Sequence, residues 1–166
     1  MKWLGVSGSS KGLTEALKTD LDREVGLALE SGKGIVTGGS LGTDYRAANS
    51  ACQFAPGCER AKIVLPTTLD IYLAHLGNRA LQGSVTAEDY SALKGLLQLV
   101  AYSGNIVVQE GFESVSKAAY DSRNTLMLSH TDELVAFQIG DSPGTRDAVK
   151  KAELQDIPVK LFKYIA

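Results

Sequence analysis

Apolar residues fall in two alternating rhythms along this chain. Short, nearly continuous apolar runs occur at 3–6, 34–37, 61–65, 106–108, 133–139 and 158–165, with the length and composition of buried strands. Between them apolar positions return every three or four residues, as at Leu13, Ala16, Leu17, Leu21, Val25, Ala28 and Leu29, which is the stripe of an amphipathic helix. The same reading predicts helices over 44–54, 69–81, 87–102, 113–129 and 146–155. Ser31-Gly32 closes the first helix, Pro66 stops the third strand, Gly83 parts two helices, and Thr86 with Asp89 is placed to cap the second of these. Strands alternating with helices require right-handed crossovers, and so predict a doubly wound α/β fold with a mainly parallel sheet and helices on both faces. No linker, low-complexity stretch or charge block interrupts the pattern, so residues 1–166 are expected to form a single domain.

Three predicted strands run straight into glycine-rich turns: Gly5-Val6-Ser7-Gly8-Ser9-Ser10, Gly38-Gly39-Ser40-Leu41-Gly42-Thr43 and Gly140-Asp141-Ser142-Pro143-Gly144-Thr145. In a parallel sheet all three lie at the carboxyl edge, where ligands gather near the reversal of strand order. Glycine lets the backbone approach a ligand, serine and threonine add hydroxyl donors, and the first amides of a helix are unpaired and partly positive. Gly8, Ser9, Ser10, Gly38, Gly39, Ser40, Gly42, Thr43, Ser142, Gly144 and Thr145 are therefore the expected phosphate contacts. Neither of two well-defined nucleotide signatures is present: Gly5, Gly8 and Gly12 do not form the G-x-G-x-x-G order, and no glycine turn ends in the Lys-Ser/Thr pair of a phosphate loop.

Composition narrows the partners. A net charge of −2 provides no global attraction for nucleic acid, and with no clear basic and aromatic stripe it disfavours nucleic acid as a partner. No run of about twenty apolar residues exists to span a bilayer, and the first apolar run meets glycine too soon for a signal peptide, so a cytoplasmic protein is expected. Cys52 and Cys58, the only cysteines, are expected to be reduced thiols. With His75 and His130 as the only histidines, no metal cage is expected.

The second turn, from Gly38 through Asp44 with Ala47 and Ala48 beyond it, resembles the second-strand turn of the SLOG superfamily, which includes YpsA-like proteins, DNA-processing protein A and the Lonely Guy phosphoribohydrolases. Arg123-Asn124, Met127, the run from Asp132 to Phe137, and Ser142-Pro143-Gly144-Thr145 resemble the superfamily's distal signature. The likeness covers 1–65 and 120–165 and is loose over 67–110. It implies a Rossmann-like fold that binds a nucleotide or nucleotide-derived ligand, as a homodimer or larger homo-oligomer.

The resemblance also sets the expected roles. Arg123 is the expected phosphate fork, against an exposed side chain on its helix. Asn124 orients a ribose or caps a turn, and Thr43 and Thr145 donate to phosphate or serve as helix caps. Asp44 would repel phosphate, so it is assigned to ribose hydroxyls, a metal ion or a helix N-terminus. Arg146 is a second phosphate contact or a solvated side chain. Lonely Guy enzymes carry a glutamate three residues after the distal Gly-Thr, where this chain has Ala148, so the resemblance implies binding without fixing a catalytic residue. A phosphoribohydrolase using a displaced carboxylate, Asp147 or Asp44, and a single-stranded DNA-binding protein are the alternative functions. No cofactor beyond a nucleotide is indicated, magnesium included.

Overall fold

A computed structural model describes residues 1–166. Twelve elements follow one another: β1 (Trp3–Gly8), α1 (Glu15–Glu30), β2 (Gly34–Thr37), α2 (Thr43–Phe54), β3 (Ala61–Leu65), α3 (Leu69–Leu81), α4 (Ala87–Tyr102), β4 (Ile106–Val108), α5 (Lys117–Ser129), β5 (Glu133–Ile139), α6 (Pro143–Leu154) and β6 (Val159–Tyr164). All strand pairs are parallel, in the order β4-β3-β2-β1-β5-β6. The chain therefore builds outward from β1 to β4, returns through α5, and adds β5 on the other side of β1. Strand order reverses between β1 and β5, with Val6 beside Val135 and Gly8 beside Phe137.

Alternate side chains leave a strand on opposite faces, and this divides the core in two. Val6, Ile35, Ile63, Val135 and Phe137 meet α1, α2, α3 and α4, while Val36, Val64, Leu134 and Ala136 meet α5 and α6. Ala47, Ala48 and Ala51 are fully buried, so the small face of α2 lies close on the sheet. The helix predicted from 113 begins instead at Lys117, because the Ser116 hydroxyl accepts from the Ala119 amide and fixes the start there. The last helix starts earlier than its apolar stripe, at Pro143, whose fixed φ suits the first helical position.

The expectation of reduced thiols is corrected: Cys52 and Cys58 are joined as a disulfide, with Cα atoms 4.4 Å apart. Beyond α2 the chain doubles back, the Cys58 amide donating to the Ala55 carbonyl at 2.8 Å and Cys58 taking a φ of 56°, so the second sulfur returns over the first. Six residues of separation alone cannot reveal that reversal. Alkylation under denaturing, non-reducing conditions is expected to label neither cysteine. Reduction is expected to lower unfolding stability by about 2 kcal/mol, the order for releasing so short a loop, as read by denaturant titration with and without reductant.

Candidate functional site

The turns after β1, β2 and β5 meet in a cleft of about 1040 Å³ at the carboxyl edge, beside the reversal of strand order. Its walls include Gly8 and Ser10 from the first turn, Gly38, Ser40 and Asp44 from the second, and Ser142, Gly144, Thr145 and Arg146 from the third. From α5, Arg123 and Asn124 reach in as well. Four expected contacts lie elsewhere. Ser9 ties β1 to β5, its amide donating to the Phe137 carbonyl and its hydroxyl accepting from the Ile139 amide, each at 3.3 Å. Thr43 is fully buried and its hydroxyl donates to the Ser9 carbonyl at 2.8 Å. Gly39 and Gly42 hold the shape of the second turn at positive φ, 76° and 72°, and do not line this cleft. These four residues build the cradle and leave their neighbours to face it.

Arg123 is buried, which answers the alternative of an exposed side chain. Its Nη1 donates to the Gly38 carbonyl, its Nε donates to Asn124 Oδ1 at 3.1 Å, and its guanidinium lies 5.3 Å from the Tyr120 ring centroid. A Cβ on Gly38 would collide with Arg123 Nη1, so that glycine makes room for the guanidinium. Nη2 makes no hydrogen bond to the protein, and Arg123 lines the cleft. Asn124 passes the connection on, its Nδ2 donating to Asp147 Oδ2 at 3.1 Å, and Asp147 in turn pairs with Lys151 at 2.9 Å. One chain of hydrogen bonds and an ion pair thus links the second turn to α6.

Helix starts divide into two kinds. In α1, α3, α4 and α5 a Thr or Ser hydroxyl accepts from a first-turn amide, whereas α2 and α6 have no side-chain cap. At α6 the Ser142 hydroxyl meets the Thr145 hydroxyl instead, at 2.9 Å, and the Gly144 and Thr145 amides find no partner in the protein. Nothing lies within 4 Å of where a Gly144 Cβ would stand, so that start is open to the cleft. Unpaired first-turn amides at the positive end of a helix suit an anion. Arg146 is exposed and pairs with Asp141 at the rim.

Asp44 sits between these donors. Its Oδ2 accepts from the Ser40 amide at 3.2 Å, and burial pushes its pKa above the ordinary 3.8, opposed by the Arg123 charge and then by the Ser40 amide. Below it the buried Thr37 hydroxyl has no hydrogen-bond partner within normal geometry; the Asp44 carboxylate is near enough for a weak favourable interaction only. A carboxyl whose folded pKa is raised binds protons in the native state that the unfolded chain has lost, so its contribution to stability falls as pH rises from 3.8 through its folded pKa. Asp44→Asn is therefore expected to gain stability relative to the parent across that window. Paired urea titrations from pH 3 to pH 7 read it, and a difference constant with pH would remove the assignment.

Sequence reasoning did not find Lys117, Tyr120, Lys150 and Lys163, which also line the cleft. For the first three the available signal was helical spacing: 117, 120, 121 and 124 share one face of α5, and 143, 146, 147, 150 and 153 one face of α6, whereas Lys163 lies on β6. Such polar faces read in a sequence as solvated. No group of three or more His, Cys, Asp or Glu residues is arranged to hold a metal ion, and no helix is long and apolar enough to cross a membrane.

Fold and cleft together define a Rossmann-like α/β protein with its polar cleft at the carboxyl edge of a six-stranded parallel sheet. Among solved structures, the chain is similar to DNA processing protein A from Helicobacter pylori, known for its single-stranded DNA binding mode, with a TM-score of 0.70 and 18% identity over 96% of this chain and 64% of that one. It is also similar to DNA processing protein A from Streptococcus pneumoniae, with a TM-score of 0.54, 16% identity and coverage of 96% and 58%. A third similar structure is TM1055, with a TM-score of 0.52, 18% identity and coverage of 96% and 72%. This chain therefore spans less than two thirds of either DNA processing protein. No protein-family model and no curated protein sequence matches it. The argument from net charge that disfavoured nucleic acid is corrected: a protein of the same fold binds single-stranded DNA, and a small net charge does not preclude a local cationic patch.

Proposed function

We propose that the protein is a SLOG-like nucleotide-binding protein that holds the ligand's phosphate where β1 and β5 diverge. The observation that carries this reading is the uncapped start of α6, whose Gly144 and Thr145 amides are unpartnered at a cleft where Arg123 keeps a free Nη2. Unpartnered helix-start amides and a guanidinium are both phosphate donors, and both line the same cleft. Ser142 supplies a hydroxyl beside it, and Asp44, acceptor-only when ionised, suits a ribose hydroxyl better than a phosphate.

Binding without cleavage is the reading the residues favour. Ala148 is fully buried, so its position offers no carboxylate to the cleft, and Asp147 is already held by Asn124 and Lys151. Thermal unfolding across a panel of nucleoside monophosphates, dinucleotides and short oligodeoxynucleotides tests the proposal. Stabilisation by nucleotides that is lost in Arg123→Ala supports it. Stabilisation by oligodeoxynucleotides alone would replace it with a strand-binding site, and no stabilisation by any probe would refute it.

A further inference from the structure

A second cleft, of about 1030 Å³, opens on the other side of the second glycine turn. The two clefts share Ser10, Ser40 and Tyr120, and so form one trough with a waist at the two serines. Their charges differ. Five cationic side chains and five carboxylates face the first, whereas four cationic side chains and two carboxylates face the second. Of those four, Lys18 and Arg46 are paired with Glu15 and Asp22, while Lys11 and Arg79 have no carboxylate partner. A chain of net charge −2 thus concentrates positive charge in a concave place.

The far wall is built by α3, α4 and the turn between them. Tyr72 anchors that wall, its hydroxyl donating to the Gly39 carbonyl at 2.9 Å in a buried bond, so the second cleft is held in register with the turn that forms the waist. Tyr45, half-buried on α2 and packed against the core, is an aromatic residue lining the same cleft.

We propose that the second cleft receives the second half of a two-nucleotide ligand whose joining phosphate crosses the waist at Ser10 and Ser40. Lys11 and Arg79 neutralise its additional phosphate charge, and Tyr45 stacks on its base. The inference rests on the nucleotide-binding reading of the first cleft. A ligand filling the first cleft alone gains nothing from Arg79, whereas one that crosses the waist gains a charge-assisted contact and a stacked base, together at least about tenfold in affinity.

Isothermal titration calorimetry with adenosine monophosphate and with 5′-phosphorylated diadenylate tests this. The diadenylate is expected to bind at least about tenfold more tightly, with Arg79→Ala and Lys11→Ala each removing most of that advantage while leaving the monophosphate affinity unchanged. Equal affinity for the two probes overturns the inference while leaving the first cleft standing. So does an advantage that survives both substitutions, or a loss shared equally by both probes. Absence of binding by either probe overturns this inference and the nucleotide-binding reading together.

Discussion

Arg123→Ala is expected to weaken nucleotide binding by at least about tenfold and to lower unfolding stability by about 2–4 kcal/mol. The two effects have separate origins. Binding falls because Arg123, a planar cationic donor lining the cleft, has Nη2 unused by the protein. Stability falls because the Gly38 carbonyl and Asn124 Oδ1 each lose a charged donor in a buried place, and the Asp44 carboxyl loses the charge that opposes its desolvation. Arg123→Lys separates them, since an ammonium restores charge without the fork that serves Gly38 and Asn124 together. Calorimetric binding and denaturant unfolding of both variants check this. Unchanged stability and affinity in Arg123→Ala would remove the residue from the site.

Gly42→Val is expected to destabilise the fold by about 3 kcal/mol or more, with the melting temperature falling by roughly 6–12 °C for a chain of this size. A side chain here meets two obstacles. Gly42 has a φ of 72°, which a β-branched residue adopts only under strain, and its Cβ would stand 2.6 Å from the Ser10 carbonyl carbon and oxygen. Those are backbone atoms of the first turn, so no rotamer relieves the clash. Thr43 on the same turn is bonded to Ser9, and the strain reaches the β1–β5 clamp. Weakened binding in this variant would then reflect a disordered cradle, so thermal unfolding is the informative readout. A melting temperature within 2 °C of the parent would contradict the account.

The alternation of runs and stripes made the doubly wound fold readable, because apolar period is a local property of the chain. Strand order is not local, and the alternation did not fix it; the order β4-β3-β2-β1-β5-β6 belongs to the folded chain. Which turns meet at the cleft was legible in the sequence, whereas which of their side chains face it was not. The glycine turns do meet at the carboxyl edge, but the Ser9 hydroxyl accepts from Ile139 of β5 and the Thr43 hydroxyl donates to the Ser9 carbonyl, contacts that only the folded register shows. Lys117, Tyr120 and Lys150 were missed for the converse reason, since a polar helix face looks the same whether it meets solvent or a cleft, and Lys163 because the outward positions of edge strand β6 read alike in either case. Cys52 and Cys58 turned on a backbone reversal that no period encodes.

The central claim is that a nucleotide phosphate is held at the carboxyl edge between β1 and β5. The most direct test is an amide proton–nitrogen correlation titration with the nucleotide that stabilises the protein most. The largest shifts are expected at Gly8, Ser10, Gly144 and Thr145, with the Arg123 side-chain resonance moving alongside them. Saturating nucleotide that leaves those resonances in place, or moves only residues at the amino ends of the strands, would contradict it.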